Sequence, residues 1–405
     1  PFELVDDVLA QTRTVQRRMG LGLAHLAQQL RALEAGAVAE ARRLALVARL
    51  PTAAGGRLHG AESVRRAIER WLDEPDGPAV LVVTGPPGSG KSTVVAAAIR
   101  PRAEGLGAAR LAWLGPSDRR PPAPTAPTAV AAPPRPRVVA LRDGGPSASG
   151  ARTDADERGW GAAWPDRSAA PRRPGRAAAA ARAVAEACTA LGGRGALVVV
   201  DGVDDGREMG TIARRFGRLA AGPRLIVTSR LGWSAFASAT VLPMPPLDRA
   251  AATALVRHEG RRRGLHGVAA AADHALAAVI DATAGHPAAL LLAVSELRAE
   301  APEVVAARFR TGVGRPGRLY ERMWSAAWRA APETVRCAVA AAAQAQAGGR
   351  ADLAAVAAAA GRPADDVALA VAAAADLGLV AAVDDAGGVQ LPVFLSRWLA
   401  RLAAG

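Results

Sequence analysis

A glycine-rich loop beginning at Gly85 carries the residue types in this sequence that are best suited to chemistry. It reads Gly85-Pro86-Pro87-Gly88-Ser89-Gly90-Lys91-Ser92, is followed by Thr93, and fits the spacing G-x-x-x-x-G-K-[ST]. Glycines let successive backbone N–H groups converge on phosphate oxygens, because a Cβ atom there would block the approach. The pattern predicts a P-loop that binds nucleotide phosphates. Lys91 would reach the β- and γ-phosphates, and Ser92 would offer its hydroxyl to Mg²⁺.

The lysine of this loop is the only lysine in the chain. The other 50 of the 51 basic residues (51 − 1 = 50) are therefore arginines. An ammonium on a flexible stem differs from a planar guanidinium in how it fits a tight phosphate cradle. A composition that uses arginine everywhere else therefore indicates that Lys91 occupies a position where arginine does not serve.

A second candidate group follows an apolar run further along the chain. Leu197-Val198-Val199-Val200 ends in Asp201, and Asp204 and Asp205 come in the next turn. A P-loop site holds its metal with an acid at the end of another strand, so Asp201 is predicted to bind Mg²⁺ together with Ser92. A further carboxylate could position or deprotonate the attacking water, and we assign this role to Asp205. A solvated acidic turn is the alternative for Asp204 and Asp205.

The elements that must position these residues are short apolar strands. The run 79–84 precedes the loop and a helical stretch, 92–100, follows it. Further apolar runs at 196–201, 224–228 and 239–242 alternate with helical stretches. This alternation predicts an α/β fold, with a parallel sheet that has helices on both faces. The Pro-, Ala- and Arg-rich stretch 101–176 is predicted to be a flexible insertion that holds one more strand at 137–141.

The remaining chain predicts three further regions. An N-terminal helical segment (1–50) precedes the P-loop NTPase domain (51–246), and a helical lid (247–331) and a winged-helix domain (332–405) follow it. The turn 385–388 between two short strands predicts a hairpin in the last domain. In the N-terminal segment, an apolar stripe predicts packing against the next domain, and a coiled coil is the alternative. The stripe consists of Val15, Met19, Leu23, Leu26, Leu30 and Leu33.

Composition bounds the class of protein. Its 405 residues suggest two to four domains, and 50% hydrophobic residues allow a substantial core. Two cysteines are too few for a disulfide framework, and the sequence has no apolar run long enough for a membrane span. The start shows neither an initiator Met nor a signal pattern. We therefore expect a cytoplasmic region taken from a longer protein.

Four segments resemble a known family. The turn Asp201–Asp205 is similar to the NACHT branch of the STAND P-loop ATPases, which are signal-transduction relatives of the AAA+ and origin-recognition ATPases. Leu225–Arg230 is similar to the family's strand that ends in an Arg sensing the γ-phosphate. Leu247–Asp248 resembles its lid entry. Gly285–Leu290 resembles its Gly-x-Pro helix start, in which the Pro lies near the nucleotide base.

This resemblance implies roles and partners. It implies that Arg230 senses the γ-phosphate and that Pro287 lies near the base. His286 is predicted to be a spacer in the helix-opening turn, and a contact to the base is the alternative. It implies a slow ATPase that uses ATP and Mg²⁺, in which nucleotide state controls domain arrangement or self-association. Effector and sensor regions would lie elsewhere in the same chain. The sequence departs from the family pattern in having no His at 390–394 and in having Asp205 where the family has Glu.

Two other functions stay open at this point. The net charge of +14 favours a DNA-binding, origin-recognition-like or transcription-regulating ATPase. The stretch 364–377 contains acids and no Arg, however, which is unlike a helix that reads a DNA groove. A nucleotide-binding scaffold without turnover is the third possibility.

Overall fold

The structure is a computed structural model of the chain. It describes residues 25–404 except 27, 35–36, 39, 42, 54–55, 75, 106–109, 117–175, 192–194, 219–222, 232–237, 347–349 and 384–386. The predicted strand at 137–141 and most of the predicted insertion lie outside the described residues.

One parallel sheet carries the P-loop. Its strands are β1 (Val80–Thr84), β2 (Leu111–Leu114), β3 (Leu197–Val200), β4 (Arg224–Ser229) and β5 (Thr240–Pro243). Their order is β2-β3-β4-β1-β5, and every pairing is parallel. The α/β fold predicted from the sequence is confirmed. β4 lies between β3 and β1, so the ends of all three strands meet at one edge.

Helices cover both faces of this sheet, as predicted. They are α1 (Glu62–Asp73), α2 (Lys91–Gly105), α3 (Arg176–Leu191) and α4 (Gly206–Phe216). Alternate residues of β1 point to opposite faces. Leu81 and Val83 pack with Ile68 and Val94, whereas Val82 packs with Ile212 on the other side. This period of two, with both faces buried, is what a parallel sheet between two helix layers requires.

Two local predictions were wrong. Strand β2 lies inside the stretch predicted to be a flexible insertion, where it pairs with β3 and buries Trp113. Helix α2 continues past its predicted end at Arg100 and contains Pro101. Proline lacks the N–H group that a helix interior uses. The preceding turns are held by the buried side chains of Val94, Val95 and Ile99, so packing keeps the helix in place.

The rest of the described chain is mostly helical. The helices are α5 (Arg249–Arg262), α6 (His266–Ala270), α7 (Asp273–Ala282), α8 (Pro287–Glu296), α9 (Pro302–Thr311), α10 (Arg315–Ala330), α11 (Glu333–Ala345), α12 (Leu353–Ala360), α13 (Ala364–Asp376) and α14 (Val393–Ala404). Three short antiparallel strands, β6 (Ala351–Asp352), β7 (Ala382–Val383) and β8 (Gly388–Gln390), have the order β6-β8-β7. The predicted hairpin is therefore present. One hydrophobic core extends from Val279 to Leu399.

The N-terminal segment is helical at its described positions between 25 and 49. Three residues of the predicted packing stripe, Leu26, Leu30 and Leu33, are not buried, being 55%, 59% and 71% exposed. The other three, Val15, Met19 and Leu23, lie outside the described residues. Of the described residues in this segment, those at its end, Leu46, Val47 and Leu50, pack against the sheet domain. Within the described ranges, no helix has both the length and the apolar character that crossing a bilayer would need.

Candidate functional site

The P-loop connects the carboxyl end of β1 to the first turn of α2. Gly88 and Gly90 have φ angles of 82° and 95°, a left-handed region that residues with a Cβ atom rarely adopt. Helix α2 begins at Lys91, so its N-terminal amides and the positive end of its dipole face the loop. The local backbone therefore has the form of an anion cradle.

Lys91 lies folded over this loop. Its side chain is 9% exposed, and Nζ donates to the carbonyl oxygens of Gly85 at 2.7 Å and Pro86 at 2.9 Å. The ammonium is thus held at the loop by carbonyl oxygens. A phosphate oxygen, as a charged acceptor, would compete with these neutral carbonyls for the same donor.

Asp201 follows β3 and receives hydrogen bonds from two other elements. Ser92 Oγ, in the first turn of α2, donates to Asp201 Oδ1. Thr228 Oγ1, in β4, donates to the same oxygen at 2.6 Å and accepts from the Gly202 amide at 2.8 Å. Asp201 is only 7% exposed. Because β4 lies between β3 and β1, Thr228 connects the acid-bearing strand to the P-loop side.

The oxygens of Ser92 and Asp201 fit the predicted magnesium ligands. Mg²⁺ is bound through one or two carboxylates together with substrate phosphates and water, rather than by an all-protein cage. Among the described residues, no group of three or more His, Cys, Asp and Glu could hold a metal ion. A single carboxylate with one hydroxyl beside a phosphate cradle suits a Mg²⁺ ion that arrives with a nucleotide.

The other two acids of the turn contact backbone. Asp205 is exposed and caps α4, because its Oδ1 accepts from the amides of Arg207 at 2.8 Å and Glu208 at 3.2 Å. Asp204 Oδ1 accepts from the Arg230 amide at 3.1 Å, and its carbonyl oxygen accepts from Arg230 Nη2 at 3.4 Å. Arg230 therefore lies at the same edge as Asp201. Its role in sensing phosphate, and that of Asp205 in positioning water, stay predictions.

His286 proves to be part of the site's surroundings. Its Nδ1 accepts from the Ala289 amide at 3.4 Å, so it caps α8, of which Pro287 is the first residue. Burial lowers its pKa to about 4; the Lys91 ammonium adds to this effect and the Pro87 backbone opposes it. The sequence predicts a spacer or, as the alternative, a contact to the base; in the structure the ring is close enough to the P-loop for the Lys91 ammonium to lower its pKa. The position of Pro287 near a base stays a prediction.

Thr228 was also missed by the sequence analysis as a site residue. A usable signal was present, since Thr228 and Ser229 are polar residues at the carboxyl end of an otherwise apolar run. Both are fully buried, and Ser229 Oγ donates to the Val203 carbonyl at 2.6 Å. A polar side chain buried at the ligand edge of a parallel sheet indicates a contact to the neighbouring strand ends.

Comparisons with known proteins find distant structural similarity without a sequence match. No family model matches the chain, and no curated protein matches it by sequence. A STAND protein with a tetratricopeptide repeat sensor from Pyrococcus horikoshii is 10% identical with a TM-score of 0.32; the match covers 87% of this chain and 43% of that one. This chain thus spans less than half of that protein.

Two origin-recognition structures are similar to the same degree. The ORC2 protein of Aeropyrum pernix, in ADPNP and ADP complexes, is 11% identical with a TM-score of 0.38, covering 86% of this chain and 96% of that one. Drosophila ORC bound to DNA is 11% identical with a TM-score of 0.34, covering 90% and 98%. These are the same ATPase groups that the sequence resemblance named. At TM-scores below 0.5 they carry no functional assignment for this chain.

Proposed function

We propose that this protein binds ATP with Mg²⁺ at the P-loop and hydrolyses it slowly. The observation that supports the proposal most directly is the hydrogen bond between Ser92 and Asp201, which lie on different elements next to the Lys91 cradle. A phosphate cradle, a buried ammonium and a paired hydroxyl and carboxylate are the parts that P-loop phosphoryl transfer uses. In a structural Gly-rich turn, nothing would require these side chains to converge.

Each of these residues has a separate task in the proposal. The loop amides and Lys91 would hold the phosphates, and Ser92 and Asp201 would hold the metal ion. When bound, Mg²⁺ supplies positive charge to the β- and γ-phosphate oxygens. Thr228 would keep the Asp201 carboxylate in one orientation. Arg230 would contact the γ-phosphate, and Pro287 would lie near the base.

We further propose that nucleotide state controls how the C-terminal helices, as a winged helix, lie against the sheet domain, and that self-association accompanies this change. The turn after α13 supports the idea. Gly378 packs so closely on the end of β4 that an added Cβ atom would lie 2.2 Å from the Arg230 carbonyl oxygen. A phosphate-induced shift of Arg230 would therefore be felt directly in the C-terminal region.

DNA binding is not the function that we favour. Helix α13 carries Asp365 and Asp366 in its first turn, and none of its thirteen residues is basic. DNA affinity depends largely on Lys and Arg contacts to phosphates. An acidic first turn would oppose the approach of a phosphate backbone.

The test measures Mg·ATP binding by calorimetry and turnover by phosphate release. Lys91→Ala is expected to lose affinity, and Asp201→Ala is expected to lose metal-dependent turnover. Glu321→Ala, an exposed carboxylate on α10, is the matched control and should behave as the unmodified protein does. Absence of binding in the folded, unmodified protein would overturn the proposal. Binding without any turnover would leave a nucleotide-binding scaffold.

A further inference from the structure

A buried histidine joins the P-loop to the C-terminal helix. His286 is 7% exposed, and its ring centroid lies 5.3 Å from that of Phe394 in an edge-on arrangement with an interplanar angle of 73°. Phe394 belongs to α14, which starts more than a hundred residues further along the chain. The Lys91 ammonium and the Pro87 backbone both act on the charge of the same ring. Two distant parts of the chain therefore meet on one imidazole.

The backbone fixes where this ring lies. Gly285, the preceding residue, has a φ of 63°, and an added Cβ atom there would lie 2.1 Å from the Leu247 carbonyl oxygen. The Leu247 amide in turn donates to the Gly285 carbonyl at 2.9 Å. This close approach ties the start of α8 to the segment that leaves β5. The same segment carries Met244, whose amide donates to the Thr84 carbonyl at 2.8 Å and whose Cβ atom would lie 3.0 Å from a Cβ atom added at Gly85, so backbone contacts connect the start of α8 to the P-loop.

The hydrogen bond that the ring accepts indicates which of its nitrogens carries the proton. Nδ1 accepts from the Ala289 amide, so the neutral imidazole carries its hydrogen on Nε2. Nε2 lies on the edge of the ring away from that amide. It is buried, and no described residue meets it with hydrogen-bond geometry, although the Pro87 backbone is near enough to raise the pKa of the ring as a weak acceptor would. A buried donor without a partner destabilises the folded protein, and a new partner would remove that cost.

Phe394, the residue of α14 that contacts the His286 ring, is itself firmly packed. Phe394 stacks on Tyr320 with ring centroids 4.7 Å apart, and the Tyr320 hydroxyl donates to the Phe309 carbonyl at 2.6 Å. Arg397, one turn further along α14, donates to the carbonyl oxygens of Ala282 and Phe309. A change in the position of the His286 ring would therefore reach α14 through Phe394.

We propose that His286 is a further nucleotide-binding residue, whose Nε2–H group donates to a phosphate oxygen at the P-loop while its ring packs on Phe394. The proposal rests on the proposed function, since it requires a phosphate at the loop. An anion there offers the acceptor that Nε2 lacks, and it replaces the neutral Gly85 and Pro86 carbonyls as a partner for Lys91. Nucleotide and α14 then stabilise each other, and this coupling is reciprocal.

The experiment uses two substitutions that separate the role of Nδ1, as the helix cap, from the role of Nε2, as the donor. His286→Asn keeps a good helix cap but removes the donor at the Nε2 position, whereas His286→Gln places an amide N–H near that position and weakens the cap. We expect the Kd for Mg·ATP to rise about 10-fold or more in His286→Asn, the loss typical of a hydrogen bond to a charged group. His286→Gln should recover much of this affinity despite its lower melting temperature. His266→Asn, at the exposed start of α6, is the matched control.

A second readout follows α14 itself. We expect Mg·ATP to increase protection of 393–404 from hydrogen exchange in the unmodified protein and not in His286→Asn. By reciprocity, Phe394→Leu should also raise the Kd for Mg·ATP by roughly 5-fold or more. If the unmodified protein binds Mg·ATP and both His286→Asn and Phe394→Leu bind it equally well, this inference is wrong and the proposed function stands. If the unmodified protein does not bind, the proposed function itself fails.

Discussion

Asp201 and Asp205 lie four residues apart in one turn, yet their surroundings are opposite. Asp201 is buried and accepts hydrogen bonds from the hydroxyl groups of Ser92 and Thr228, two residues that lie on other elements. Asp205 is exposed and accepts only amides of its own helix within the described structure. The first carboxylate is oriented by the tertiary fold, and the second by local backbone. Residue type and proximity in sequence therefore do not give two acids the same chemical role.

The largest expected effect is that of Asp201→Asn. The amide keeps the size of the side chain but removes the charge that would hold Mg²⁺, so Mg²⁺-dependent turnover should fall about 100-fold or more. Phosphate release at several Mg²⁺ concentrations measures this. Turnover within twofold of the unmodified protein would remove the distinction between Asp201 and Asp205.

Lys91→Arg tests the buried part of the site, which Lys91 shares with Asp201, while it retains the positive charge. A guanidinium needs more room than an ammonium and cannot direct its donors at the Gly85 and Pro86 carbonyls in the same way. We expect the Kd for Mg·ATP to rise about 10-fold or more, measured by calorimetry. The exposed Arg322→Lys provides the reverse exchange as a control and should have no effect. Unchanged affinity in Lys91→Arg would show that the single lysine reflects composition alone.

Thr228→Val tests whether orientation by the fold matters to Asp201. The substitution removes the hydroxyl that donates to Asp201 Oδ1 and accepts from Gly202. Because partners that orient a metal ligand are worth about 10–100-fold, the Mg²⁺ concentration for half-maximal turnover should rise about 10-fold. Thr228→Ser keeps the hydroxyl and should stay within threefold, about the loss of one methyl contact. Equal behaviour of the two variants would contradict this role.

The smallest effect concerns Asp205. Asp205→Ala should lower the free energy of unfolding by about 1 kcal/mol through loss of the helix cap, and Asp205→Asn should preserve it. Urea unfolding measures both. We expect Asp205→Asn to keep turnover near that of the unmodified protein. In the unmodified protein the Asp205 carboxylate accepts from α4 amides, and the asparagine oxygen can accept the same hydrogen bonds. A 10-fold loss of turnover at unchanged stability would instead support the water-positioning role predicted from the sequence.

The parts of the fold that the sequence predicted are those with local signals. Strands β1 and β3 are uninterrupted apolar runs, and the P-loop has a fixed spacing that depends on backbone conformation alone. Strand β2 was missed because it is only four residues long and is surrounded by Pro-, Ala- and Arg-rich sequence. Its identity as a strand depends on pairing with β3, which no local pattern encodes.

The site was predictable to the same extent. Asp201 and Ser92 could be named because each sits in its own motif. Thr228 had only the weaker signal of a polar residue at the end of an apolar run, and its contact with Asp201 requires knowing that β4 lies between β3 and β1. The contact of His286 with Phe394 likewise depends on how distant helices pack. Long-range order, not residue chemistry, was the missing information.

Because the sequence has a single lysine and it lies in the P-loop, chemical modification of that lysine would report whether the site is occupied. Lys91 carries the only side-chain primary amine in the sequence, and it is 9% exposed with both carbonyl contacts in place. The mass of the peptide that contains Lys91, measured after brief acetylation, would therefore report modification of this one amine. Protection by nucleotide would appear as the loss of a single acetyl increment, with no need for an introduced label.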